Sequence, residues 1–178
     1  MSRKNHYETA FEHFLRQRQI LYFSNRQEYR PFKSGRSLKN FDFLVSAPDG
    51  THWIIDVKGR CFPGGKKQKR YWKNWTTRDD LAGLLQWESL LGNNYRSLLL
   101  FAYQICGIRT PVPPQYLYRR HGVYYAFLGV DLHTYIAWSR LISPQWQTYE
   151  MPAAIFRKHA IPIHELLAPL SVIAPSFR

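Results

Sequence analysis

Apolar residues recur at helical spacing near the start of the chain. Residues 7–18 carry a stripe one helical turn apart, which predicts a helix whose inner face consists of Tyr7, Ala10, Phe11, Phe14 and Leu15. Glu8 lies at the edge of this stripe, so its carboxylate could reach a cleft beside a sheet, whereas Glu12 lies further round toward solvent. An exposed helix glutamate is the alternative for Glu8. Residues 20–23 are predicted to form a short first strand.

Residues 41–58 place β-branched and aromatic runs on either side of Pro48-Asp49-Gly50, which predicts a β-hairpin. Pro48 fixes φ at about −65° for the first turn position. Gly50 can adopt the left-handed conformation that ends a three-residue loop. Pairing Ala47 with Thr51 then sets the register outward. That register gives an apolar face on which Phe41, Phe43 and Val45 lie opposite Val57, Ile55 and Trp53.

On the other face of the hairpin the same register puts Asp42 opposite Asp56, with Lys58 two residues further along. Opposed like charges destabilise a strand pair, and aspartate is a poor strand residue. Two carboxylates on a rigid backbone are nevertheless the hard oxygen donors that a divalent cation requires. We therefore predict a cation site here. The alternative is that both aspartates face solvent at a sheet edge, with Lys58 as their counter-ion.

The most polar segment, residues 59–78, follows the hairpin and contains no acidic residue. It alternates basic and aromatic side chains, which favours contact with phosphates and stacking on unpaired bases. The alternative is a solvated run of charges whose tryptophans pack on the core. The residues predicted to contact nucleic acid are Arg36 and Lys39 before the hairpin and Arg60, Lys66, Lys67, Lys69, Arg70, Trp72, Lys73 and Trp75 after it.

A helix is predicted next, because Thr77 and Asp80 have the spacing of a reciprocal N-terminal cap. It runs to about Leu91 and stops at Gly92, with an inner face of Leu81, Leu84, Leu85 and Leu91. Glu88 falls inside this apolar face. A charge at such a position must be paired, by an arginine or a backbone group, or functional.

The second half of the chain predicts further strands. Residues 97–103 form a near-continuous apolar run, typical of a strand buried on both faces. Residues 123–132 and 135–141 are predicted as later strands. From residue 143 onward, prolines divide the chain into short pieces that we expect to wrap the domain.

Length and charge narrow the function. A chain of 178 residues suits one domain (1–178), with a core of about residues 5–142 and a proline-rich wrap of residues 143–178. The net charge of +13 favours a polyanionic partner, nucleic acid before membrane, because no basic amphipathic helix stands out. Apolar runs are too short to span a bilayer, and no hydrophobic signal segment follows the N-terminus. Cys61 and Cys106 match no metal-ligand spacing, so we expect a reduced, cytoplasmic protein.

The order of a helix glutamate, a strand aspartate and an Asp-x-Lys pair on the next strand resembles the PD-(D/E)XK nuclease superfamily. The four positions are Glu8, Asp42, Asp56 and Lys58. The N-terminal third is similar to archaeal Holliday-junction resolvases, which share a GSxK-type lead-in, here within residues 34–39. Residues 6–12 (HYETAFE), 41–43 and 56–60 resemble more closely an uncharacterised bacterial family named for its HYExAFE motif, and that likeness extends through residues 75–92.

The resemblance implies an α/β fold with a restriction-endonuclease-like core, a mixed central β-sheet flanked by helices. It also implies a nuclease that uses Mg²⁺ or Mn²⁺ to cut DNA, including branched or structured DNA, and a homodimer. Asp42, Asp56, the carbonyl of Val57 and Glu8 would hold the metal. Lys58, its pKa lowered beside the metal, would assist catalysis.

Two departures from the family pattern stand out. Asp56 stands where glutamate is commoner, and Gln86 faces away from the leucine stripe, so the helix-glutamine role of some branches is not assigned. A non-catalytic nucleic-acid-binding module and a scaffold with a vestigial acid pair remain alternatives to the enzyme.

Overall fold

The structure is a computed structural model that describes residues 5–25, 39–64 and 71–168. Arg36, Lys66, Lys67, Lys69 and Arg70, and the lead-in segment before Lys39, lie outside these ranges. The helices found within them are α1 (His6–Gln17), α2 (Arg78–Leu91), α3 (Leu132–Trp138), α4 (Ala153–His159) and α5 (Ile163–Leu166). The strands are β1 (Tyr22–Ser24), β2 (Phe43–Ser46), β3 (His52–Phe62), β4 (Thr76–Thr77), β5 (Tyr95–Ile105), β6 (Tyr118–Arg120), β7 (Val123–Asp131), β8 (Arg140–Ser143), β9 (Thr148–Glu150) and β10 (Ile161–Pro162).

A mixed sheet forms the centre of the described residues. Its strand order is β1-β2-β3-β5-β7-β10, and β6 also pairs with β7. The central pair β3–β5 is parallel, and the pairs on either side of it are antiparallel. A smaller sheet has the order β4-β9-β8. The α/β class, with a mixed central sheet flanked by helices, is therefore confirmed.

The predicted hairpin joins β2 to β3. Its loop closes as expected, since the Ala47 amide donates to the Thr51 carbonyl at 2.8 Å and Gly50 has a φ of 87°. The Asp49 carboxylate also accepts the Thr51 amide at 2.9 Å, which stiffens the turn. Phe43 pairs with Ile55, and Val45 with Trp53, so the register of the ladder is confirmed.

The ladder ends at Asp42. Its amide donates to the Ile55 carbonyl at 2.9 Å, and its carboxylate accepts the Val57 amide at 2.6 Å, a donor that a regular ladder would give to the carbonyl of Phe41. Phe41 instead packs on the α2 side of the sheet, with its ring centroid 5.0 Å from that of Trp87. The prediction that Phe41 and Val57 share one apolar face is therefore wrong.

One hydrophobic core lies between the sheet and α1. The Phe11 ring meets those of Phe43 and Phe127 at centroid distances of 5.3 Å. Burial of a side chain of this size contributes about 1.5–3 kcal/mol. The predicted stripe is confirmed, because Ala10, Phe11, Phe14 and Leu15 are all buried. Glu12 is buried too, since Arg16 and Tyr22 satisfy its carboxylate at 2.8 and 3.1 Å, so the expectation that it faces solvent is wrong.

A second core lies between the opposite face of the sheet and helices α2, α3 and α4. The α2 helix has the predicted capping box and ends before Gly92. Leu81 and Leu84 are buried in this core, but Leu85 and Leu91 are each more than one-third exposed, so half of the predicted leucine face is wrong. The strand predicted at residues 97–103 is confirmed within β5, whose central residues are buried.

The segment after β7 differs from its prediction. The sequence predicts a strand at residues 135–141, either a separate one or the return of the preceding strand, but α3 occupies most of this range. The Asp131 carboxylate accepts the amides of His133 and Thr134 at 3.1 and 3.2 Å, which starts a helix at this position. Tyr135 is thereby fully buried against the sheet.

Residues beyond 142 contribute to both the sheet and the cores. Strand β10 pairs with β7, and Met151, Phe156 and Ile163 are fully buried. The single domain 1–178 and its division near residue 142 stay predictions.

Cys61 and Cys106 are joined in a disulfide, with Cα atoms 6.0 Å apart. They lie at adjacent ends of the parallel strands β3 and β5, where the Cys106 amide donates to the Phe62 carbonyl at 2.8 Å. The expectation of two reduced thiols is therefore wrong.

Candidate active site

Four elements converge where β2 and β3 separate: the first turns of α1 and α2, the start of β2 and the middle of β3. Gly59 makes part of this convergence possible. A Cβ at Gly59 would overlap the Tyr7 ring, so only glycine lets the first turn of α1, which carries Glu8, pack directly on β3. Glu8 thereby lies near enough to Asp42 for its charge to add to the rise in the pKa of Asp42.

Asp42 is a half-buried carboxyl in an electronegative setting. Burial raises its pKa to about 8, and the charges of Asp56 and Glu8 add to this rise, while the Val57 amide and the Lys58 ammonium oppose it. The repulsion expected from the hairpin register is thus present, and it involves the helix glutamate as well. Such a carboxyl is well suited to taking up a cation.

Asp56 is buried beside Lys58, whose Nζ lies 2.6 Å from the carboxylate oxygen Oδ2. Burial raises the pKa of Asp56, and the Asp80 charge contributes to the rise against the effect of Lys58. Burial alone would lower the pKa of Lys58, but the charges of Asp56 and Asp80 outweigh burial and raise it. The two carboxylates thus hold Lys58 as an ammonium, and the lowered pKa expected for Lys58 beside a bound metal stays a prediction.

Asp80 is a site residue that the sequence indicated only as a helix cap. Its side chain is buried, and Oδ2 lies 2.9 Å from Lys58 Nζ. Burial would raise the pKa of Asp80, but Lys58, Lys39 and hydrogen bonds from the Thr77 hydroxyl hold it well below its usual range. The signal that could have found this residue is the capping motif itself, because the cap fixes the carboxylate at the mouth of the helix where β3 passes.

Lys39 pairs with Asp80 rather than extending freely into solvent. Its backbone is seated against α2 in two ways. A Cβ at Gly83 would lie 3.0 Å from Lys39 Cβ, and the Trp87 indole donates to the Lys39 carbonyl at 2.9 Å. A residue predicted to contact nucleic acid therefore belongs to the charged cluster.

The residues proposed for a metal fit a hard divalent cation by chemistry, since Asp42, Asp56 and Glu8 supply carboxylate oxygens and Asp42 is electrostatically strained without one. Their arrangement is not a closed coordination shell. Lys58 contacts Asp56 Oδ2, and Val57 donates its amide to Asp42. Within the described ranges no group of three or more His, Cys, Asp or Glu side chains is assembled to hold a metal ion.

Arg60 and Trp75 form a pair beside this cluster. The guanidinium lies 4.0 Å from the centroid of the Trp75 ring and donates to the Trp75 carbonyl at 2.5 Å and the Gly59 carbonyl at 2.7 Å. Trp75 is 40% exposed. The pair thus presents a cation–π face to solvent next to the carboxylates.

The other described members of the aromatic and basic segment are more structural. The Trp72 ring packs edge-on against Phe62 and lies 6.2 Å from Phe156, as the packing alternative predicted. Lys73 is half-buried, and its carbonyl accepts the Tyr103 hydroxyl at 2.9 Å.

Glu88 is paired, which is the first of the two alternatives predicted for a charge on the apolar face of α2. Its carboxylate accepts the Ser97 amide at 2.5 Å and lies 2.7 Å from His133 Nε2. These contacts fasten α2 to β5 and α3, away from the carboxylates of the hairpin.

A curled mixed sheet flanked by helices, with acidic and lysine side chains gathered at a central hairpin, defines a restriction-endonuclease-like fold. Among solved structures the chain is similar to Hjc, a Holliday junction resolvase from the archaeal hyperthermophile Archaeoglobus fulgidus, with a TM-score of 0.52 over 91% of this chain and 98% of that one. The identity is 10%, so this similarity concerns the fold.

Sequence comparisons add no closer relationship. No protein-family profile matches the chain, and no curated protein matches it significantly. The resemblance to the HYExAFE family therefore stays a prediction. As for membranes, no helix in the described ranges has the length and apolar character needed to cross one.

Proposed function

We propose that this protein is a metal-dependent nuclease that hydrolyses phosphodiester bonds in DNA, with branched or structured DNA as its substrate class. The observation that carries the proposal is the grouping of Asp42, Asp56 and Lys58 at one end of the hairpin, where burial first, and then the charges of Asp56 and Glu8, raise the pKa of Asp42 to about 8. Burying like charges close together costs stability, and groups perturbed in this way are concentrated at functional sites. The nuclease-like fold supports the same conclusion.

In this proposal Asp42, Asp56, the Val57 carbonyl and Glu8 hold Mg²⁺ or Mn²⁺. The metal, when bound, supplies an activated water and neutralises charge on the scissile phosphate. The pKa of Lys58 is raised, so it is an ammonium at neutral pH and serves as a hydrogen-bond donor and not as a base. It stabilises the negative charge that develops on the phosphate oxygens and orients the attacking water.

DNA is the proposed partner because the chain carries a net charge of +13 and because Arg60 and Trp75 flank the site with a cation–π face. Phosphates would contact basic residues, and an unpaired base would stack on Trp75. Arg36, Lys66, Lys67, Lys69 and Arg70 stay proposed contacts of the same kind. A homodimer is also proposed, since it would present two such sites to a branched substrate.

The test is a cleavage assay with the purified chain and end-labelled linear duplex, four-way junction, flap and single-stranded DNA, with Mg²⁺, with Mn²⁺ and with a chelator. Asp56→Asn and Lys58→Met should lose cleavage, and Asp79→Asn, which changes the neighbouring exposed aspartate of α2, should keep it. Equal cleavage by wild type and Asp56→Asn would refute the proposal.

A non-catalytic nucleic-acid-binding protein is the second candidate. It is favoured by the ion pair in which Lys58 Nζ lies 2.6 Å from Asp56 Oδ2, because this pair occupies a carboxylate that the metal would need. This candidate predicts DNA binding that weakens steeply with salt, by about 0.9 log unit in affinity per phosphate contact and per log unit of salt, with no cleavage of any substrate.

A further inference from the structure

Asp80 receives more donors than a helix cap uses. Its Oδ2 accepts the Thr77 amide at 3.1 Å, the Thr77 hydroxyl at 2.8 Å and the Thr76 hydroxyl at 2.9 Å, and it lies 2.9 Å from Lys58 Nζ. The Oδ1 atom pairs with Lys39. A reciprocal cap needs only the contacts with Thr77. The Thr76 hydroxyl and the two ammonium groups are therefore additional.

These contacts make Asp80 a rigid anchor. Thr76 is fully buried in β4, and α2 fixes the Asp80 backbone, so the carboxylate has few alternative positions. Lys39 is held on the far side by Gly83 and Trp87. Charges thus alternate in the order Asp56, Lys58, Asp80, Lys39, and the ammonium of Lys58 is shared by two carboxylates.

We propose that Asp80 is the positioning residue for Lys58, keeping its ammonium beside the reacting phosphate when the oxygens of Asp56 turn to another cation. This inference rests on the proposed nuclease function. A lysine side chain has four flexible bonds, and with Asp56 as its single partner it would leave the site whenever that carboxylate was engaged. The second, fixed carboxylate removes this dependence.

The first measurement needs neither metal nor DNA. In protein labelled with ¹⁵N-lysine, the Lys58 ammonium should give a resolved NMR signal, because two carboxylates shield its protons from exchange with water; Lys58→Met identifies it. Asp80→Asn should speed that exchange about tenfold or more, the order expected for one lost charge-assisted hydrogen bond. Asp79→Asn is the matched control and should leave the signal unchanged.

The second measurement is the steady-state kinetics of DNA cleavage by the same variants. Asp80→Asn should lower kcat about 10- to 100-fold and change KM for DNA less than about threefold, because a displaced ammonium affects the transition state more than binding. Asp80→Glu, which restores the charge, should recover part of the loss. If Asp80→Asn fails to fold, the near-isosteric Thr76→Val serves instead, because it removes one hydroxyl that donates to Asp80. It should shift both measurements in the same direction by a smaller factor.

The outcomes separate the two proposals. Unchanged ammonium exchange in a folded Asp80→Asn variant overturns the positioning role, whatever the cleavage assay gives. A rise in KM for DNA with an unchanged kcat also overturns the positioning role. If wild type cleaves no DNA but Asp80→Asn still releases the Lys58 signal, the nuclease proposal fails and the anchoring of Lys58 by Asp80 is retained.

Discussion

Asp42 and Asp80 are both withdrawn from solvent a short distance from Lys58, yet their pKa values shift in opposite directions. The pKa of Asp42 rises to about 8, while that of Asp80 is held well below its usual range. Burial opposes ionisation in both. The difference comes from partners, since Asp42 faces Asp56 and Glu8, whereas Asp80 faces the ammonium groups of Lys58 and Lys39.

This comparison divides the charged cluster into two halves. The satisfied half is Asp80 with Lys58 and Lys39, and the unsatisfied half is Asp42 facing Asp56. On the α2 side, alternating charges and hydroxyl donors complete the electrostatics of Asp80 without any added ion. On the α1 side, the charges of Asp56 and Glu8 act against ionisation of Asp42, and a divalent ion would relieve this repulsion. Lys58 lies at the boundary and contacts both halves, and this is the position from which a catalytic ammonium could act.

The largest expected effect is on cleavage, and it comes from removing Asp56, which pairs with Lys58 and repels Asp42. Asp56→Ala should lower the cleavage rate by about 10²- to 10³-fold, the order seen when a central electrostatic group is lost. Binding to DNA should be kept or tightened, because a negative charge is removed. Gel-based cleavage and fluorescence anisotropy on the same substrate check this. Metal-dependent cleavage retained by the variant would contradict the assignment of the unsatisfied half.

The next effect is on stability, from breaking the satisfied half. Asp80→Ala should lower the free energy of unfolding by about 3–5 kcal/mol, because it removes a buried ion-pair partner together with a helix cap. Urea denaturation measures this, with Asp79→Ala as the matched control on the exposed neighbour. A loss no larger than that of the control would mean that the alternating charges contribute little to the fold.

A smaller and pH-dependent effect is expected at Asp42. The folded-state pKa of about 8 exceeds that of an unfolded aspartate, so the native state binds more protons between the two values. Stability from this group is therefore complete below about pH 4 and is lost as pH rises toward and through about 8. Without metal, Asp42→Asn should stabilise the protein by about 1–3 kcal/mol near pH 8 and by much less near pH 4.

Urea denaturation of wild type and Asp42→Asn at both pH values checks this sign. Adding Mg²⁺ at the higher pH should stabilise wild type and leave Asp42→Asn little changed, because a bound cation removes the repulsion. An equal gain at both pH values would show that the carboxyl is not strained by its neighbours.

The smallest effect is expected at Lys39, whose side chain is 49% exposed. Lys39→Met should lower the free energy of unfolding by about 0.5–1 kcal/mol, since a partly solvated ion pair contributes little and Lys58 still neutralises Asp80. Thermal melting at low and high salt measures it. A loss as large as that of Asp80→Ala would show that Lys39, and not Lys58, is the main partner of Asp80.

Local chemistry explains which features could be predicted from the sequence. The turn at Pro48-Asp49-Gly50 sets the register between β2 and β3 because each strand residue pairs by counting from the loop. The capping box of α2 is defined within four residues, and the buried run of β5 is continuous. The mixed sheet and its nuclease-like class were implied by the resemblance of the acidic and lysine motif to a known superfamily, and not by the pattern of the strands.

Other features depended on contacts between distant residues. The helix α3 stands where a strand was predicted: its Asp131 cap is local, but the Tyr135 hydroxyl of this helix donates to the distant carbonyls of Asn74 and Tyr149. Phe41 crossed to the α2 side because Asp42 took the Val57 amide. The disulfide between Cys61 and Cys106 formed because β3 and β5 run parallel and end together.

By itself the sequence determined the hairpin, the carboxylates that it brings near each other, the two main helices and the excess of positive charge. The tertiary structure alone decided that Asp80 joins Lys58 across 22 residues and that Lys39 closes the far side of the cluster. The physical reason is range. Periodicity, turns and caps act over a few residues, whereas the partner of a buried charge is set by how separate elements pack, and that packing decides which carboxylate is satisfied and which is left to take a cation.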